Sequence, residues 1–442
     1  MEPTRQFSAS EPAVQALRQH IGAVVSLNGL VETVRDQKRM QFVVLNSQGG
    51  GVQLVHEKAG DEDRLAESIA ALSPGSAMSV TGAVRDAPSV RLNGLEIEVA
   101  DIVVHSLAAT PLPIAADSSI DKQIDWRFIG LRRPEQRLIF QVQTTLEQAM
   151  RAWWAQSGFI EIHSPKLMGT FSESGAEAFK VAYFDRTAYL AQSPQFYKQM
   201  AMAAGFDRVF EIGPAFRAEP SFTSRHETEF TSIDMELAWT ASHHDVMDLE
   251  EAWLAAALAE VAAVHGPAIE SLLGVRLIPP ETPFPRVTME AAQAIVRATG
   301  HVPTRTDDLD PEAERRLCAH IAREQGHAFV FVTDYPVSAR PFYHRRHADR
   351  PDLTQSFDLL WNGVESTTGA QRQHRYEPLR AQAIERGYDL EPLSSYLDFF
   401  RYGCPPHGGM GVGLARLLMV MLQRSSIREA TFLSRSPTRL TP

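Results

Sequence analysis

The stretch FRAEPSFTSRHETEF, residues 216–230, sets Arg217, Arg225 and His226 among Glu219, Glu227 and Glu229, with Phe216, Phe222 and Phe230 interleaved. Guanidinium forks suit phosphate. A glutamate can accept from an exocyclic amine, and a phenylalanine ring can stack on a base. These are the parts needed to grip ATP. Taken alone, an exposed hairpin laced with surface ion pairs is the commoner explanation. Two further stretches add related chemistry. In FDLLWNGVESTTGAQRQHRYE (357–377), Glu365 follows Asp358 with Thr368 close behind, and Arg372 ends the TTGAQR turn. Hard oxygen ligands of this kind suit Mg²⁺ bridging phosphates; the bland alternative is an acidic strand edge and a surface arginine. In GGMGVGLARLLMVML (408–422), Gly408, Gly409, Gly411 and Gly413 lead into a helix whose first turn holds Arg416. Glycines admit close backbone approach, and a helix N-terminus favours anions. No GK[ST] follows and no GxGxxG pattern opens the helix, so neither a P-loop nor a dinucleotide fold is expected.

Elements must hold these residues in place. Runs 207–217 and 228–240 read as strands flanking the arginine-rich loop. Residues 133–157 carry apolar residues at helical spacing and predict one long helix, ended by GF before the strand IEIHSP. Residues 243–264, 289–299, 310–325 and 414–424 also read as helices. Residues 328–336, 354–367 and 402–413 are strand-like or glycine-rich. Strands and helices do not alternate regularly, which predicts an α+β fold with a mostly antiparallel sheet. Before all this, residues 22–105 give five short β-rich runs with one helix, 65–72, between the third and fourth. That is the order of an OB-fold barrel. Such barrels often bind single-stranded nucleic acid, although any small β-barrel fits the pattern. AATPLPIAADSS (108–119) is rich in Pro, Ala and Ser and reads as a linker. The expected division is a barrel domain over 1–107, a linker over 108–132 and a larger domain over 133–442.

Bulk properties narrow the class without naming it. With 442 residues, two domains are expected. The net charge of -11 does not favour non-specific nucleic-acid binding, yet a local basic surface would still admit RNA. No run of about 18 apolar residues is found, so no membrane span is expected, and MEPTRQFSASEP shows no signal-peptide pattern. Cys318 and Cys404 stand far apart. They suit a reducing cytoplasm rather than a disulfide framework or a thiolate zinc site.

Taken in order, GFIEIHSPKL with its preceding helix, FRAEPSFTSRHETEFTSIDMEL and GMGVGLAR resemble motifs 1, 2 and 3 of the class II aminoacyl-tRNA synthetases. YLAQSPQFYKQ, VFEIGPAFRAE, RPFY and YGCPPHGG narrow the resemblance to the aspartyl-tRNA synthetase family of the short archaeal and eukaryotic type. The resemblance covers the whole chain and implies a ligase that uses ATP and Mg²⁺. Arg217 and Arg416 match the arginines on the ATP phosphates. Glu219 matches the residue near the adenine amine, and Phe230 the ring beneath adenine. His226 matches a histidine approaching the phosphates, with Arg225 and Gly413 beside the nucleotide. Asp358, Glu365 and Thr368 take the Mg²⁺ positions, with Thr where the family has Ser. Aspartate recognition falls to Ser172, Glu173, Gln195, Lys198, Asp234 and Arg372, with Lys198 and Arg372 on the β-carboxylate. Phe42 and Gln53 fall where the family meets an anticodon base; a core phenylalanine is the alternative for Phe42. The partners implied are L-aspartate, a tRNA and a second copy of the chain in a homodimer, through the motif 1 helix and Pro165.

The sequence departs from the family at several places. Asn46 and Ser47 replace RD, and Leu30 replaces the Trp of GWV. Glu227 stands where motif 2 has Leu. Ala370 replaces a glycine, Arg375 an aspartate and Ala415 a glutamate, and FLSRS replaces FPRD near the end. None removes a group needed for adenylate formation; most fall on surfaces and loops that meet tRNA or support the site. Three functions follow. The leading one is an aspartate–tRNA ligase for tRNA(Asp), with tRNA(Asn) added if it is non-discriminating. The second is a divergent paralogue that passes aspartyl-adenylate to a non-tRNA acceptor. The third is a non-catalytic RNA-binding protein on the same scaffold.

Overall fold

The computed structural model describes residues 14–47, 50–60, 62–170, 177–220 and 223–442. The chain divides into two compact units, Met1–Pro134 and Glu135–Pro442.

In the first unit, strand alternation drives closure of a barrel. Along β2 (Met40–Ser47), Gln41, Val43, Leu45 and Ser47 are buried, while Phe42 and Val44 are half-buried on the outer face. The partners are β1 (Val24–Asp36), β3 (Gly50–Glu57), β4 (Ala77–Asp86) and β5 (Leu95–Ser106). They close in the order β1-β2-β3-β5-β4 around Leu27, Val31, Leu54, Val80 and Ile97. Helix α1 (Arg64–Ala70) lies between β3 and β4, as the OB-fold order requires. It is capped by Asp63, which accepts from the amides of Leu65 and Ala66. The expected linker differs from a plain connection. It carries α2 (Ile120–Asp125) and α3 (Arg127–Gly130) and belongs to the first unit. Leu112, Ile114 and Ile129 line a cavity of about 160 Å³ together with Leu30 and Val31 of the barrel. Apolar side chains every few residues give this stretch something to pack on, which its Pro and Ala content concealed.

The second unit is built on an eight-stranded sheet. In chain order its strands are β6 (Ile160–Glu161), β10 (Arg208–Phe216), β11 (Glu229–Ala238), β12 (Arg286–Thr288) and β13 (Phe329–Thr333), then β14 (Ser356–Trp361), β15 (Val364–Gln371) and β16 (His407–Gly413). A separate small sheet holds β7 (Leu167–Met168), β8 (Lys180–Tyr183) and β9 (Arg186–Leu190). The large sheet runs β12-β13-β14-β15-β16-β11-β10-β6. Its six central strands pair antiparallel, and only β12 with β13 and β6 with β10 run parallel. Helices α4 (Pro134–Gln156) and α6 (His243–Leu273) supply Leu146, Trp154, Trp253 and Leu258 to the core that also takes Phe210 and Ile233 from the sheet. The Trp154 ring lies 4.5 Å from Phe210 and 4.9 Å from Trp253.

Helix α6 is long and apolar enough to cross a bilayer by length and composition alone. Val246, Trp253, Leu254, Leu258 and Val261 among its apolar residues pack into the core, while Val264 and Leu272 are exposed. The remaining helices are α5 (Gln195–Ala203), α7 (Met289–Ala298), α8 (Pro311–Gln325), α9 (Tyr376–Glu385), α10 (Ser394–Arg401), α11 (Leu414–Met421) and α12 (Ile427–Ala430).

Candidate active site

The arginine-rich stretch is the loop of the β10–β11 hairpin. Phe216 pairs with Glu229 and Ala215 with Phe230. The Arg217 amide donates to the Thr228 carbonyl at 2.9 Å and closes the loop's base. The Arg217 guanidinium stands 5.4 Å from the Phe230 ring centroid. Arg225 donates to Glu314 on α8 at 2.9 Å. His226 is 2.6 Å from the Thr223 hydroxyl and 3.8 Å from the Glu219 carboxylate. Burial pushes His226 below its ordinary value; Glu219 works against this, while Arg416, Arg217 and Arg225 add to it. A neutral imidazole beside three arginines fits an anion site. The C-terminal segment clamps the loop from outside: the Ile427 amide donates to the Ser224 carbonyl, and the Thr228 amide to the Arg435 carbonyl, each at 3.0 Å.

This hairpin walls a cavity of about 330 Å³. Arg217, Glu219, Arg225, His226, Phe230 and Arg416 all line it. So do Gln195, Asp234, Glu365, Thr368, Arg372 and Gly413. Residues spread across two hundred positions of sequence thus meet in one place. Ser172 and Glu173 lie outside the described residues. Lys198 and Asp358 do not line the cavity.

Below the cavity lies a buried charge lattice. Asp234 and Glu236 are two apart on β11, so both face the same side of the sheet. Lys198 on α5 is fully buried; it donates to Asp234 at 2.8 Å and to the Met410 carbonyl at 3.1 Å, and stands 3.5 Å from Glu236. Arg372 donates through Nε to Glu236 at 3.0 Å. Its Nη2 donates to Gln195 at 3.1 Å and to the Gly409 carbonyl at 3.0 Å, and its Nη1 to His344 at 2.9 Å. Burial alone would raise Glu236, but Arg372 and Lys198 outweigh it and hold this carboxyl below its ordinary value. The glycines before α11 make room for this lattice. A Cβ on Gly409 would lie 2.2 Å from the Glu236 carboxylate and from the Met235 carbonyl; one on Gly411 would lie 2.9 Å from Asp234. They serve the neighbouring strand's carboxylates, and Gly411 and Gly413 also border the cavity.

The acidic pair is arranged differently from expectation. Asp358 is buried and accepts from Arg340 at 2.6 Å. Its other oxygen, Oδ1, is buried without a hydrogen-bond partner. Glu365 faces the cavity, 3.4 Å from Arg416, and accepts from Thr368 at 3.3 Å. Burial and the Asp358 carboxylate push Glu365 above its ordinary value, against the pull of Arg416 and Arg340. Among the described residues no cluster of three His, Cys, Asp or Glu could hold a metal unaided.

Sequence reasoning missed Glu236, Arg340, Glu314 and His344. The alternation in IDMEL could have marked Glu236 as facing the same way as Asp234. Nothing local marks Arg340 as the partner of Asp358 or His344 as the partner of Arg372.

In the barrel, Phe42 lies outside the core. Arg35 sits 5.2 Å from its ring centroid and donates to Gln53 at 3.2 Å; Gln53 in turn donates to Glu96 at 3.3 Å. Phe42, Arg35 and Gln53 form one outer patch.

Comparison with known proteins agrees with this architecture. Residues 119–437 match the family model of tRNA synthetases class II (D, K and N). The aspartate–tRNA(Asp/Asn) ligase of Aeropyrum pernix is 38% identical over 428 residues, spanning 96% of each chain. The asparaginyl-tRNA synthetase of Pyrococcus horikoshii, solved with asparaginyl-adenylate, superposes with a TM-score of 0.90 at 30% identity, covering 98% of this chain and all of that one. The aspartyl tRNA synthetase of Entamoeba histolytica gives a TM-score of 0.88 at 29% identity, over 100% and 95% of the two chains. An OB-like barrel, an antiparallel sheet carrying an arginine-lined cavity, and likeness over nearly the full length converge on one conclusion: the chain belongs to the class II tRNA synthetases of the D, K and N group.

Proposed function

We propose that this protein is an aspartate–tRNA ligase. It activates L-aspartate with ATP to aspartyl-adenylate and transfers the aspartyl group to the terminal adenosine of tRNA(Asp), and of tRNA(Asn) where that tRNA is accepted. The observation that carries the choice of amino acid is the Arg372–Lys198 pair beneath the cavity. Glu236 and Asp234 already pair with both cations, but Arg372 reaches the cavity with Lys198 behind it, and a guanidinium facing the substrate binds a carboxylate more strongly than a neutral amide. This favours aspartate over asparagine despite the likeness to an asparaginyl enzyme.

In this reading Arg217 and Arg416 hold the triphosphate, with Arg225 and His226 alongside. Phe230 lies under adenine, and Glu219 accepts from its amine. Asp234 takes the substrate ammonium, with Ser172 and Glu173 assigned to the same substrate. The aspartate α-carboxylate attacks the α-phosphorus and pyrophosphate leaves; a tRNA ribose hydroxyl then attacks the adenylate carbonyl and AMP leaves. The chain's contribution is positioning and charge neutralisation, with no covalent nucleophile. The cavity also fits Mg²⁺. Glu365, on the cavity wall, would hold the ion with the phosphates, Thr368 supporting it; Asp358, behind the wall and paired with Arg340, would join only by turning from that pair. When bound, the ion would neutralise charge on the phosphates. We further assign residues 1–107 to anticodon binding through Phe42 and Gln53, and residues 133–442 to catalysis. A homodimer would form through α4, Pro165 and edge strand β6, where Ile160 is half exposed. The free thiols Cys318 and Cys404 suit work in the cytoplasm.

The test is incubation with labelled aspartate, ATP–Mg²⁺ and total tRNA, with label counted on acid-precipitated RNA. Labelled RNA is expected, and the charged tRNAs define the specificity. One observation favours a second reading, transfer to a non-tRNA acceptor: Asn46, standing where the family has Arg, gives its amide to the Arg132 carbonyl at 2.9 Å. Adenylate formation without labelled RNA would select it.

A further inference from the structure

The Arg372 guanidinium, assigned above to the substrate's side-chain carboxylate, is already engaged by protein acceptors. Glu236, Gln195 and the Gly409 carbonyl hold its Nε and Nη2 sides. A further bond is of another kind. Arginine donates only, so the 2.9 Å contact from Nη1 makes His344 Nε2 the acceptor. His344 is therefore neutral and carries its proton on Nδ1, and that Nδ1 is buried without a hydrogen-bond partner. The ring is thus held by one hydrogen bond. Its backbone, in contrast, is fixed: the Gln382 amide donates to the His344 carbonyl at 3.0 Å, and His344 bridges to Arg372 at the end of β15. Both His344 and Arg372 line the cavity. The ring is buried against the Tyr343 ring, 5.3 Å away, so clearing Nη1 takes a rotation of the side chain past that contact.

We propose that His344 is a built-in placeholder for the substrate carboxylate: its Nε2 accepts from one of the two N–H groups on Arg372 Nη1, and aspartate takes that N–H by displacing the ring. This inference rests on the aspartate reading. The exchange trades a neutral acceptor for an anionic one. Hydrogen bonds to an ionised acceptor are the stronger kind, so it runs towards the substrate. The ring nevertheless weakens binding by the strength of the bond lost. Any amino acid that uses Nη1 meets the same cost, so His344 sets affinity and leaves the preference between aspartate and asparagine untouched. A residue that merely oriented Arg372 would do the opposite, since loosening the guanidinium would weaken aspartate more than asparagine.

The experiment is aspartate-dependent exchange of pyrophosphate into ATP by the full chain, with asparagine read as a competitive inhibitor. His344→Phe keeps the ring's bulk and removes the acceptor. The KM for aspartate should fall about tenfold, the effect of one hydrogen bond, with kcat unchanged and the inhibition constant of asparagine falling in parallel. His344→Gln restores an acceptor at similar reach and should stay near the wild-type KM. An unchanged or raised KM in His344→Phe, or a shift in the aspartate–asparagine ratio, overturns the proposal. Should His344→Phe fail to fold, a structure of the wild-type protein with bound aspartate decides. A ring still hydrogen-bonded to Nη1 overturns the placeholder, and a rotated ring supports it. Absence of aspartate-dependent exchange in the wild type is a different failure, that of the aspartate reading itself.

Discussion

At the scale of single residues, membership of the cavity was legible wherever a motif kept its residues contiguous. The hairpin arginines, Glu219 and Phe230 were readable as cavity residues because one short motif holds them together, and Arg416 because it opens the helix after the glycine-rich strand. The lattice of Lys198, Asp234, Glu236 and Arg372 was readable only in its members. Its pairing spans 136 positions between Glu236 and Arg372, and no local pattern reports who neutralises whom. Arg372→Leu removes the cation assigned to the β-carboxylate and leaves Glu236 with one fewer partner. Aspartate-dependent exchange should fall by more than about a thousandfold, as expected when a buried polar group loses its mate; retained exchange would sink the assignment. Glu227, a departure from the family, makes a second prediction. It is buried, accepts from Thr431 at 3.0 Å, and is pushed up to about 7 by burial. The Thr431 bond and Arg428 pull it back, and neighbouring Glu229 raises it further. A folded value above the ordinary 4.5 means that the folded protein binds the extra proton. The stabilisation is full below about 4.5 and is lost as pH rises through about 7. Glu227→Gln should flatten that part of the melting-temperature profile; an unchanged slope between pH 5 and 8 would refute the buried neutral acid.

At the scale of elements, periodicity worked where the elements were long. Helix α4 and strands β10 and β11 lie within two residues of their expected bounds, since a long amphipathic run has one good solution. Short α5, α9 and α10 did not announce themselves. Phe196, Leu379 and Tyr396 pack into a separate small core with Phe342, and runs that short leave helix and strand hard to tell apart. The glycine-rich strand β16 was read as a ligand cradle; two of its four glycines, Gly409 and Gly411, give clearance to β11, while Gly411 and Gly413 also line the cavity. This yields a prediction about the element. Gly409→Ala would force a Cβ to within 2.2 Å of the Met235 carbonyl, a backbone atom that cannot step aside. The sheet must shift, at a cost of about 1–3 kcal/mol or more. Because the Glu236 carboxylate is the other clash, the Arg372 geometry should suffer with it. Thermal melting and the KM for aspartate should therefore worsen together. A destabilised protein with a normal KM would detach the strand's packing from the site.

At the scale of the whole molecule, the two units have separate cores, one closed inside the barrel and one between the large sheet and its helices. Separate cores permit separate functions, and the proposed division assigns one unit to RNA and the other to adenylate chemistry. The net charge of -11 means that the chain as a whole repels polyanions. RNA affinity must then come from local contacts, and the patch of Arg35, Phe42 and Gln53 offers the right kinds: a cation, a ring face and an amide. Phe42 is on the outer face of β2, so its removal leaves the barrel core intact. A stacked base contributes about 1–3 kcal/mol. Phe42→Ala should therefore raise the KM for tRNA by roughly 5- to 150-fold while leaving aspartate-dependent exchange unchanged. The two assays must diverge if the units divide the labour. An equal loss in both would mean that Phe42 acts through folding, and an equal lack of effect would remove the outer face of β2 from the RNA-binding surface.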